Sequence, residues 1–347
     1  MNALNALRIH MRRYPQSEPQ DWIKLLYQSE FGPGHFVEAG RVLARLKSEM
    51  AALAPREDLP LFEPIGNGYA RLHLAAAKKA GLRPETICGL FGYAANHAHG
   101  DAEAFLERLD ALPALAEAGR REELQTWIAA YKAQGCPPTH HSARYAAAYQ
   151  PAYRLVPQAA AQFAEVFLRI DALLARQPHV IVSVDGNCAS GKSTLSALLA
   201  EVYAARLIRV DDFFVPPEQK TPERMATPGG NVDYERFWTA IGAHLHDEAP
   251  FAYRPYNCFT GALDAPVTVL PNRLTIVDGV YGQHPTLRHL YDLKIVLSID
   301  PARQSARLLK RNGEALHKRF IAEWIPLEEL YLTGTHARER ADLVYSV

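Results

Sequence analysis

An octapeptide bounded by glycines near the middle of the chain has the residue types needed to hold a polyanion. Residues 186–193 read Gly-Asn-Cys-Ala-Ser-Gly-Lys-Ser and satisfy the pattern G-x-x-x-x-G-K-[ST]. Glycines permit a tight loop whose backbone N–H groups converge on one anion. In this pattern Lys192 reaches the β- and γ-phosphates of ATP, and the Ser193 hydroxyl binds Mg²⁺. The expected phosphate-binding residues are Gly186, Asn187, Cys188, Ala189, Ser190, Gly191, Lys192, Ser193 and Thr194.

The segments on either side of this loop have the composition that a phosphate site requires. Residues 179–185 are mostly β-branched and form a run short enough for a buried parallel strand. Residues 194–203 are rich in leucine and alanine, which favours a helix. A helix that begins there directs its dipole and free N–H groups at the anion. A glycine-rich turn without a ligand is the alternative, but such a turn does not require both flanking elements.

Carboxylates follow two further predicted strands. Five β-rich runs alternate with helical stretches, which predicts a parallel sheet covered on both faces. These runs are 179–184, 206–210, 274–278, 293–299 and 342–347. Because ligands of such sheets lie beyond the carboxyl ends of the strands, Asp211, Asp212 and Asp278 are candidates for chemistry. We expect Asp211 to accept the proton of an attacking hydroxyl and Asp278 to hold Mg²⁺; the alternative for each is a turn cap.

Residues 179–347 resemble the uridine kinase and phosphoribulokinase family of P-loop small-molecule kinases. The loop at 186–193 matches first, and Asp-Asp-Phe-Phe at 211–214 is similar to the family's Asp-x-Phe-[Tyr/Phe]. The first Asp of that motif is the family's catalytic base. The resemblance therefore implies that Asp211 is the base and that Asp212 and Phe214 lie beside the substrate.

The acceptor side of the resemblance depends on two later segments. Asn-Val-Asp at 231–233 resembles the family's Asn-Phe-Asp, whose Asp binds substrate hydroxyls, and this implies that role for Asp233. Tyr-Arg-Pro-Tyr at 253–256 resembles the family's Pro-x-Tyr-Asp, whose tyrosine lines the acceptor pocket, and this implies that role for Tyr256. Asn257 replaces the aspartate that ends this motif. Asp278 stands where the family usually has Glu before Gly.

A basic segment between Ala302 and Phe320 resembles the arginine-bearing lid of the same family. Its basic residues include Arg303, Arg307, Lys310, Arg311 and Arg319. Lid arginines close over the phosphates and neutralise transition-state charge, and the resemblance implies such catalytic roles for Arg307 and Arg311. The family's lid commonly reads Arg-Asp followed by Glu-Arg-Gly, whereas Arg-Asn-Gly stands in this chain at 311–313. The role of each arginine stays open, and a solvated helix is the alternative.

The N-terminal part is expected to be a mainly α-helical domain of unknown role, followed by the P-loop domain. Amphipathic spacing and breakers predict helices at 22–27, 40–53, 71–80, 85–98, 101–109, 122–132 and 158–176. We expect domains at 1–155 and 156–347. The fold class is therefore α/β, a P-loop NTPase whose five-stranded parallel sheet is flanked by helices, preceded by the helical domain.

Six polar residues in the N-terminal part lie near breakers of regular structure. They are His35, Asn67, Arg71, His73, His140 and His141. One interpretation is a second ligand pocket, with or without a metal. The other is that these side chains cap helices and satisfy buried turns. The segment has no H-E-x-x-H or equivalent ligand spacing, so the sequence does not support the metal.

Composition excludes several other classes of protein. The 38 basic and 38 acidic residues cancel without a basic cluster, which argues against nucleic-acid binding. Apolar runs stay short of a membrane span, and the four scattered cysteines suggest no disulfide framework, so we expect a cytoplasmic protein. The expected activity is ATP- and Mg²⁺-dependent phosphorylation of a hydroxyl on a small metabolite, a nucleoside such as uridine. Alternatives are a sugar phosphate, pantothenate or another alcohol as acceptor, or an ATP-dependent regulator; a homo-oligomer is left open.

Overall fold

The computed structural model describes residues 2–34, 39–54, 56, 58–116 and 118–347. The chain divides into two compact units, Met1–Asp171 and Ala172–Val347. Residues 153–157, on either side of the expected domain boundary, form a strand of the N-terminal sheet, and a helix at Ala164–Leu174 includes the division. His35, one of the polar residues singled out above, lies outside the described residues.

The N-terminal unit combines helices with one small antiparallel sheet, in the order β1-β2-β3. Its strands are β1 (Phe62–Gly66), β2 (Tyr69–His73) and β3 (Tyr153–Pro157). The helices within the described ranges are α1 (Ala3–Arg13), α2 (Pro19–Phe31), α3 (Ala39–Ala52), α4 (Leu74–Ala80), α5 (Pro84–Asn96), α6 (Ala102–Ala111), α7 (Arg121–Ala133), α8 (Ala143–Tyr149), α9 (Ala159–Gln162) and α10 (Ala164–Leu174). The helical character expected for this part is confirmed, and the sheet is an addition that the sequence pattern did not predict.

The helix expected at 71–80 is wrong in its first three residues. Strand β2 pairs with β1 on one side and β3 on the other, and all five of its residues are buried. Asn67 and Gly68 form the two-residue turn that leads into it, with φ of 48° and 84°. Positive φ at both positions is what a tight hairpin turn requires, and Asn-Gly supplies it at low cost. The helix begins only at Leu74, after the strand ends.

The C-terminal unit is built on a five-stranded parallel sheet in the order β12-β11-β4-β10-β5. These strands are β4 (Val180–Gly186), β5 (Arg206–Arg209), β10 (Leu274–Asp278), β11 (Leu293–Ser298) and β12 (Leu343–Ser346). Strands β4 and β10 are buried along their whole length, as expected for central strands covered on both faces. The five expected strands and the P-loop fold class are confirmed.

The remaining elements of this unit surround the sheet or extend from it. Its helices are α11 (Lys192–Tyr203), α12 (Pro222–Met225), α13 (Tyr234–Ala240), α14 (Pro301–Arg319), α15 (Ile325–Gly334) and α16 (Ala337–Arg340). Two short antiparallel pairs complete it: β6 (Phe251–Tyr253) with β9 (Val267–Val269), and β7 (Tyr256–Asn257) with β8 (Ala262–Leu263). Within the described ranges, no helix has both the length and the apolar character needed to cross a membrane.

Candidate functional site

The glycine-rich loop joins β4 to α11 at the carboxyl edge of the sheet. Gly186 has φ of 128°, and a Cβ added there would lie 2.0 Å from the Leu297 carbonyl oxygen, so the loop passes directly against β11. Gly191 has φ of 94° and immediately precedes α11, whose first residue is Lys192. The Lys192 Nζ donates to the Asn187 carbonyl oxygen at 2.8 Å, which folds the ammonium group over the loop. Ser193 and Thr194 are exposed in the first turn of the helix.

Two carboxylates stand near this loop because β10 pairs with β4, and β5 pairs with the other edge of β10. Asp211 lies in a short 3₁₀ turn at 210–213 that follows β5, and Asp278 is the last residue of β10. A Cβ built on Gly279 would lie 3.3 Å from the Asp211 Oδ1. The Asp211 residue as a whole keeps accessible surface, but protein atoms crowd around its carboxylate, and the resulting desolvation raises its pKa to about 6. Lys192 opposes the shift, whereas the nearby Asp278 and Asp212 add to it.

The edge has a donor set that fits Mg²⁺. Asp278 is 5% exposed, and its buried Oδ1 has no hydrogen-bond partner among the described residues. An unpartnered buried carboxylate oxygen is costly unless a cation or a hydrogen-bond donor reaches it. The described part of the chain contains no group of three or more His, Cys, Asp or Glu side chains that could hold a metal. Mg²⁺ does not need one, since it usually binds through one or two carboxylates together with phosphates and water. Asp278 and Ser193 are the residues that would hold it.

The residues expected on the acceptor side are partly committed to structural contacts. The Tyr253 hydroxyl donates to the Asp212 Oδ2 at 2.6 Å. The Asp233 Oδ1 accepts from the Arg236 N–H at 3.0 Å and so caps α13, and its Oδ2 lies 3.8 Å from the Arg236 Nε. Phe214 and Tyr256 are half-buried, and Tyr256 lies on β7. These two side chains therefore have surface left for a ligand, whereas Asp212 and Asp233 also serve the fold.

The hairpin formed by β7 and β8 brings the Tyr256 segment toward the candidate base. Burial raises the pKa of the Cys258 thiol, and the charge of Asp211 contributes to the same shift. Strand β7 also contacts the 3₁₀ turn at 210–213, so this hairpin lies near Asp211. The structure therefore brings the acceptor-side segment to the same edge as the phosphate loop.

The basic segment forms α14, and only part of it faces the phosphate loop. The Arg307 guanidinium donates to the Ala189 carbonyl oxygen at 2.9 Å, and the Gln304 amide donates to the Cys188 carbonyl oxygen at 3.1 Å. Gly313 interrupts the helix, with φ of 74° and ψ of 172°. Beyond it, Arg319 pairs with Glu323 at 3.1 Å. Arg311, two residues before the break, lies 5.9 Å from the Phe320 ring. Of the two arginines expected to act in the lid, Arg307 contacts the loop and Arg311 contacts its own helix.

Three acidic residues that sequence reasoning missed also contact the loop; one of them, Glu329, accepts from the Asn187 Nδ2 at 2.5 Å. Glu328 on α15 is buried, and its Oε2 accepts the Cys188 N–H at 2.8 Å. Burial raises the pKa of Glu328, against the opposing charge of Lys192. Asp185, directly before the loop, accepts from the Gly186 and Gln283 N–H groups and from the Tyr331 hydroxyl, at 2.6, 2.8 and 2.7 Å. The adjacency of Asp185 to the motif was a usable signal, whereas nothing local marked Glu328.

Solved P-loop kinases resemble this chain over about half of its length. A “Possible Uridine Kinase” from Bacillus stearothermophilus is 21% identical with a TM-score of 0.38, over 52% of this chain and 99% of that chain. A “putative fructose transport system kinase” from Silicibacter sp. TM1040 is 26% identical with a TM-score of 0.40, over 54% and 98%. Shikimate kinase from Bacteroides thetaiotaomicron is 14% identical with a TM-score of 0.24, over 48% and 85%. No family model and no curated protein matches the chain.

The class of the C-terminal unit follows from its own geometry. A parallel sheet carries a G-x-x-x-x-G-K-S loop between a central strand and a helix that begins at the lysine. Together, these features define a P-loop nucleotide-binding domain.

The polar residues expected in a second pocket separate into two groups. Arg71 and His73 lie on β2. The Arg71 guanidinium lies over the Tyr153 ring, and the His141 Nε2 lies 2.8 Å from the Tyr153 hydroxyl oxygen. Asn67 instead donates to Glu30 at 2.8 Å. His140 contributes its carbonyl oxygen, which accepts from Gln20 at 2.9 Å. The first group therefore belongs to one region of the N-terminal unit, and Asn67 and His140 have other contacts.

Proposed function

We propose that the C-terminal unit is an ATP- and Mg²⁺-dependent phosphotransferase that phosphorylates a hydroxyl group of a small metabolite. The observation that carries this proposal is Asp211, a carboxylate with raised pKa that faces Lys192 and Asp278 at the carboxyl edge of the sheet. A base with a pKa near 6 is ionised at neutral pH and still basic enough to accept a proton from a hydroxyl. A purely nucleotide-binding domain has no need of such a group on the acceptor side of its phosphate loop.

The roles of the remaining residues follow from where they lie. Lys192 and the N–H groups of residues 191–194 hold the β- and γ-phosphates, whereas the Cys188 N–H donates to Glu328. Asp278 and Ser193 would hold Mg²⁺, and the metal would supply positive charge to the transferring phosphoryl group. Asp211 accepts the proton of the acceptor hydroxyl as that oxygen attacks phosphorus. Arg307, already on the loop, is the lid arginine best placed to neutralise developing charge.

A nucleoside such as uridine is the acceptor that we propose to test first. The support is the resemblance of residues 231–233 and 253–256 to the acceptor motifs of nucleoside kinases, together with the position of the Tyr256 hairpin near Asp211. Asn257, which replaces the family's aspartate, donates to Asp264 at 3.2 Å and so stabilises its own hairpin. A sugar phosphate, pantothenate or another alcohol is the alternative acceptor within the same reaction.

The test is ADP production from Mg-ATP with nucleosides, sugar phosphates and vitamin alcohols, for the wild type and for Lys192→Ala. We expect one acceptor class to stimulate ADP release, and Lys192→Ala to abolish that stimulation. Mass spectrometry of the product then identifies the phosphorylated hydroxyl. Slow ATP hydrolysis that no acceptor changes, but that a macromolecular partner changes, would instead favour a nucleotide-dependent regulator. Absence of ATP binding by the wild type would refute both.

A further inference from the structure

A cavity of about 150 Å³ opens in the N-terminal unit, and none of the residues used in the proposed phosphotransfer lines it. Its walls come from the end of α1, from Arg56, Asp58 and Leu59, from the end of β2, and from the segment that joins α8 to β3. Three tyrosines line its walls: Tyr145, whose ring is stacked between His141 and His10, Tyr149, and Tyr153, whose ring has Arg71 over one face. The charged wall residues are Arg13, Arg56 and Asp58; Arg56 donates to the Asp58 carboxylate, whereas Arg13 is exposed to solvent and is the cation left for a ligand.

The wall at β2 is supported by a buried carboxylate that holds two histidines and a tyrosine. The Glu63 Oε2 lies 3.0 Å from the His73 Nε2 and accepts from the Tyr14 hydroxyl at 3.0 Å; the Glu63 Oε1 lies 3.4 Å from the His10 Nδ1. All four side chains are buried. Burial alone would raise the pKa of Glu63, but these histidines and Arg71 hold it well below its ordinary value. Glu63 is therefore a carboxylate that positions His73 and Tyr14 at the cavity.

A fully buried arginine completes the support. Arg71 is 0% exposed, donates to the Gln28 Oε1 at 3.0 Å, and lies over the Tyr153 ring at 4.7 Å. Its Nε has no partner among the described residues. Buried charge is expensive, and well-packed apolar residues generally stabilise a fold equally well or better. Stability of the fold therefore does not by itself account for a charged cluster beside an open cavity, whereas binding of a ligand in that cavity would.

The geometry points to a second binding site, for a small organic anion with a single ring. A cavity of about 150 Å³ is the size that accommodates one benzene ring. Tyrosine faces pack against planar or sugar rings, and an exposed arginine binds a carboxylate or phosphate through its fork of N–H groups. Because the Glu63 carboxylate accepts from Nε2 of His73, Nδ1 of His73 is left as an acceptor for a hydroxyl of the ligand. This site is independent of the proposed phosphotransfer.

The test is calorimetric titration of the full chain with benzoate, 4-hydroxybenzoate and ribose 5-phosphate, and with their neutral counterparts benzyl alcohol and ribose. The carboxylate and phosphate probes separate the two sources of the anion. We expect at least one anionic probe to bind saturably, and its neutral counterpart to bind about tenfold more weakly or worse. Arg13→Ala should weaken the anionic probe by about tenfold. Its exposed neighbour gives the matched control, Arg12→Ala, which should change binding by less than about twofold.

Two further variants make the outcome specific to this cavity. Lys192→Ala should leave probe binding unchanged, because the P-loop residue does not line the cavity; loss of binding in that variant would overturn the proposal. If the His73 Nδ1 accepts the phenol hydroxyl, 4-hydroxybenzoate should bind more tightly than benzoate, and His73→Phe, which has no acceptor, should remove that preference. If that variant does not fold, the exposed Arg13→Ala still decides. Failure of every probe to bind, or equal binding in Arg13→Ala and Arg12→Ala, would refute the second site.

Discussion

Replacing Asp211 with asparagine tests the proposed base most directly. The variant keeps the size of the side chain and its ability to contact Lys192 and Mg²⁺-bound water, but it cannot take up a proton. Loss of a positioned general base lowers kcat by about 100-fold to 10,000-fold. Because Asp211 is a proton acceptor and not a phosphate ligand, the Kd of Mg-ATP should change by less than about threefold.

The raised pKa gives the same prediction a second readout. A base with a pKa of about 6 is ionised mostly above that value, so activity rises with pH through it. The kcat/KM for the acceptor at saturating Mg-ATP should therefore fall about tenfold between pH 7 and pH 5. The assay is coupled ADP release across this range, with Mg-ATP affinity measured separately by calorimetry. Asp211→Asn should flatten the acid limb as well as lower the rate.

The neighbouring carboxylate supplies the matched control. Asp212 accepts the Tyr253 hydroxyl at 2.6 Å, so Asp212→Asn perturbs a hydrogen bond beside the site without removing the proposed base. We expect this variant to keep the acid limb of the pH profile even if its KM rises. Asp211→Asn with a turnover within about threefold of wild type, or with an unchanged pH profile, would remove Asp211 from the chemistry.

Three further predictions concern the loop, its acidic neighbour and the buried histidine. In urea titrations, Gly186→Ala should lower the free energy of unfolding by about 3 kcal/mol or more, because the added Cβ would lie 2.0 Å from a β11 carbonyl oxygen. In the same titrations, Gly313→Ala, where the added Cβ meets no neighbouring atom but φ is positive, should lower it by about 1–2 kcal/mol. Glu328→Gln should tighten Mg-ATP binding by roughly threefold to tenfold at pH 8, since a negative charge beside the loop is removed while an acceptor for the Cys188 N–H remains. The control Glu323→Gln, which is exposed and paired with Arg319, should change the Kd by less than about twofold, and equal effects would contradict this reasoning. Burial lowers the pKa of His10 to about 4, so the stabilisation from neutral His10 is complete above its unfolded pKa and is lost as pH falls below about 6.5. In urea denaturation, wild type should therefore lose about 2 kcal/mol more than His10→Gln between pH 7 and pH 5.

The P-loop unit could be predicted closely because its signals are local. Strands β4 and β10 are largely apolar runs whose residues are all buried. Each ends at a residue of the candidate site, Gly186 for β4 and Asp278 for β10. The loop pattern constrains backbone shape within eight residues, and positive φ at Gly186 and Gly191 matches it. The adjacency of Asp211 and Asp278 also followed from the rule that ligands lie at the carboxyl edge of a parallel sheet.

The N-terminal sheet escaped prediction because its middle strand does not look like one. Strand β2 contains Arg71 and His73, polar residues that ordinarily mark an exposed position, yet both are buried by pairing with β1 and β3. The partner β3 lies far along the chain, at residues 153–157. Only Asn67-Gly68 carried a local hairpin signal, and it lacked the usual alternation of apolar and polar residues on both sides.

By itself, the sequence determined the phosphate loop, the segments that form the parallel strands, and the carboxylates at the ends of two of them, because short-range patterns dictate each of these. Tertiary structure alone decided which groups meet across long separations. Glu328 and Arg307 reach the loop from more than a hundred residues away, and Glu63 joins His10 and His73 from separate elements. Such contacts depend on how elements pack rather than on any local spacing. For the same reason, a buried arginine beside an open cavity became visible only when the strands were in place.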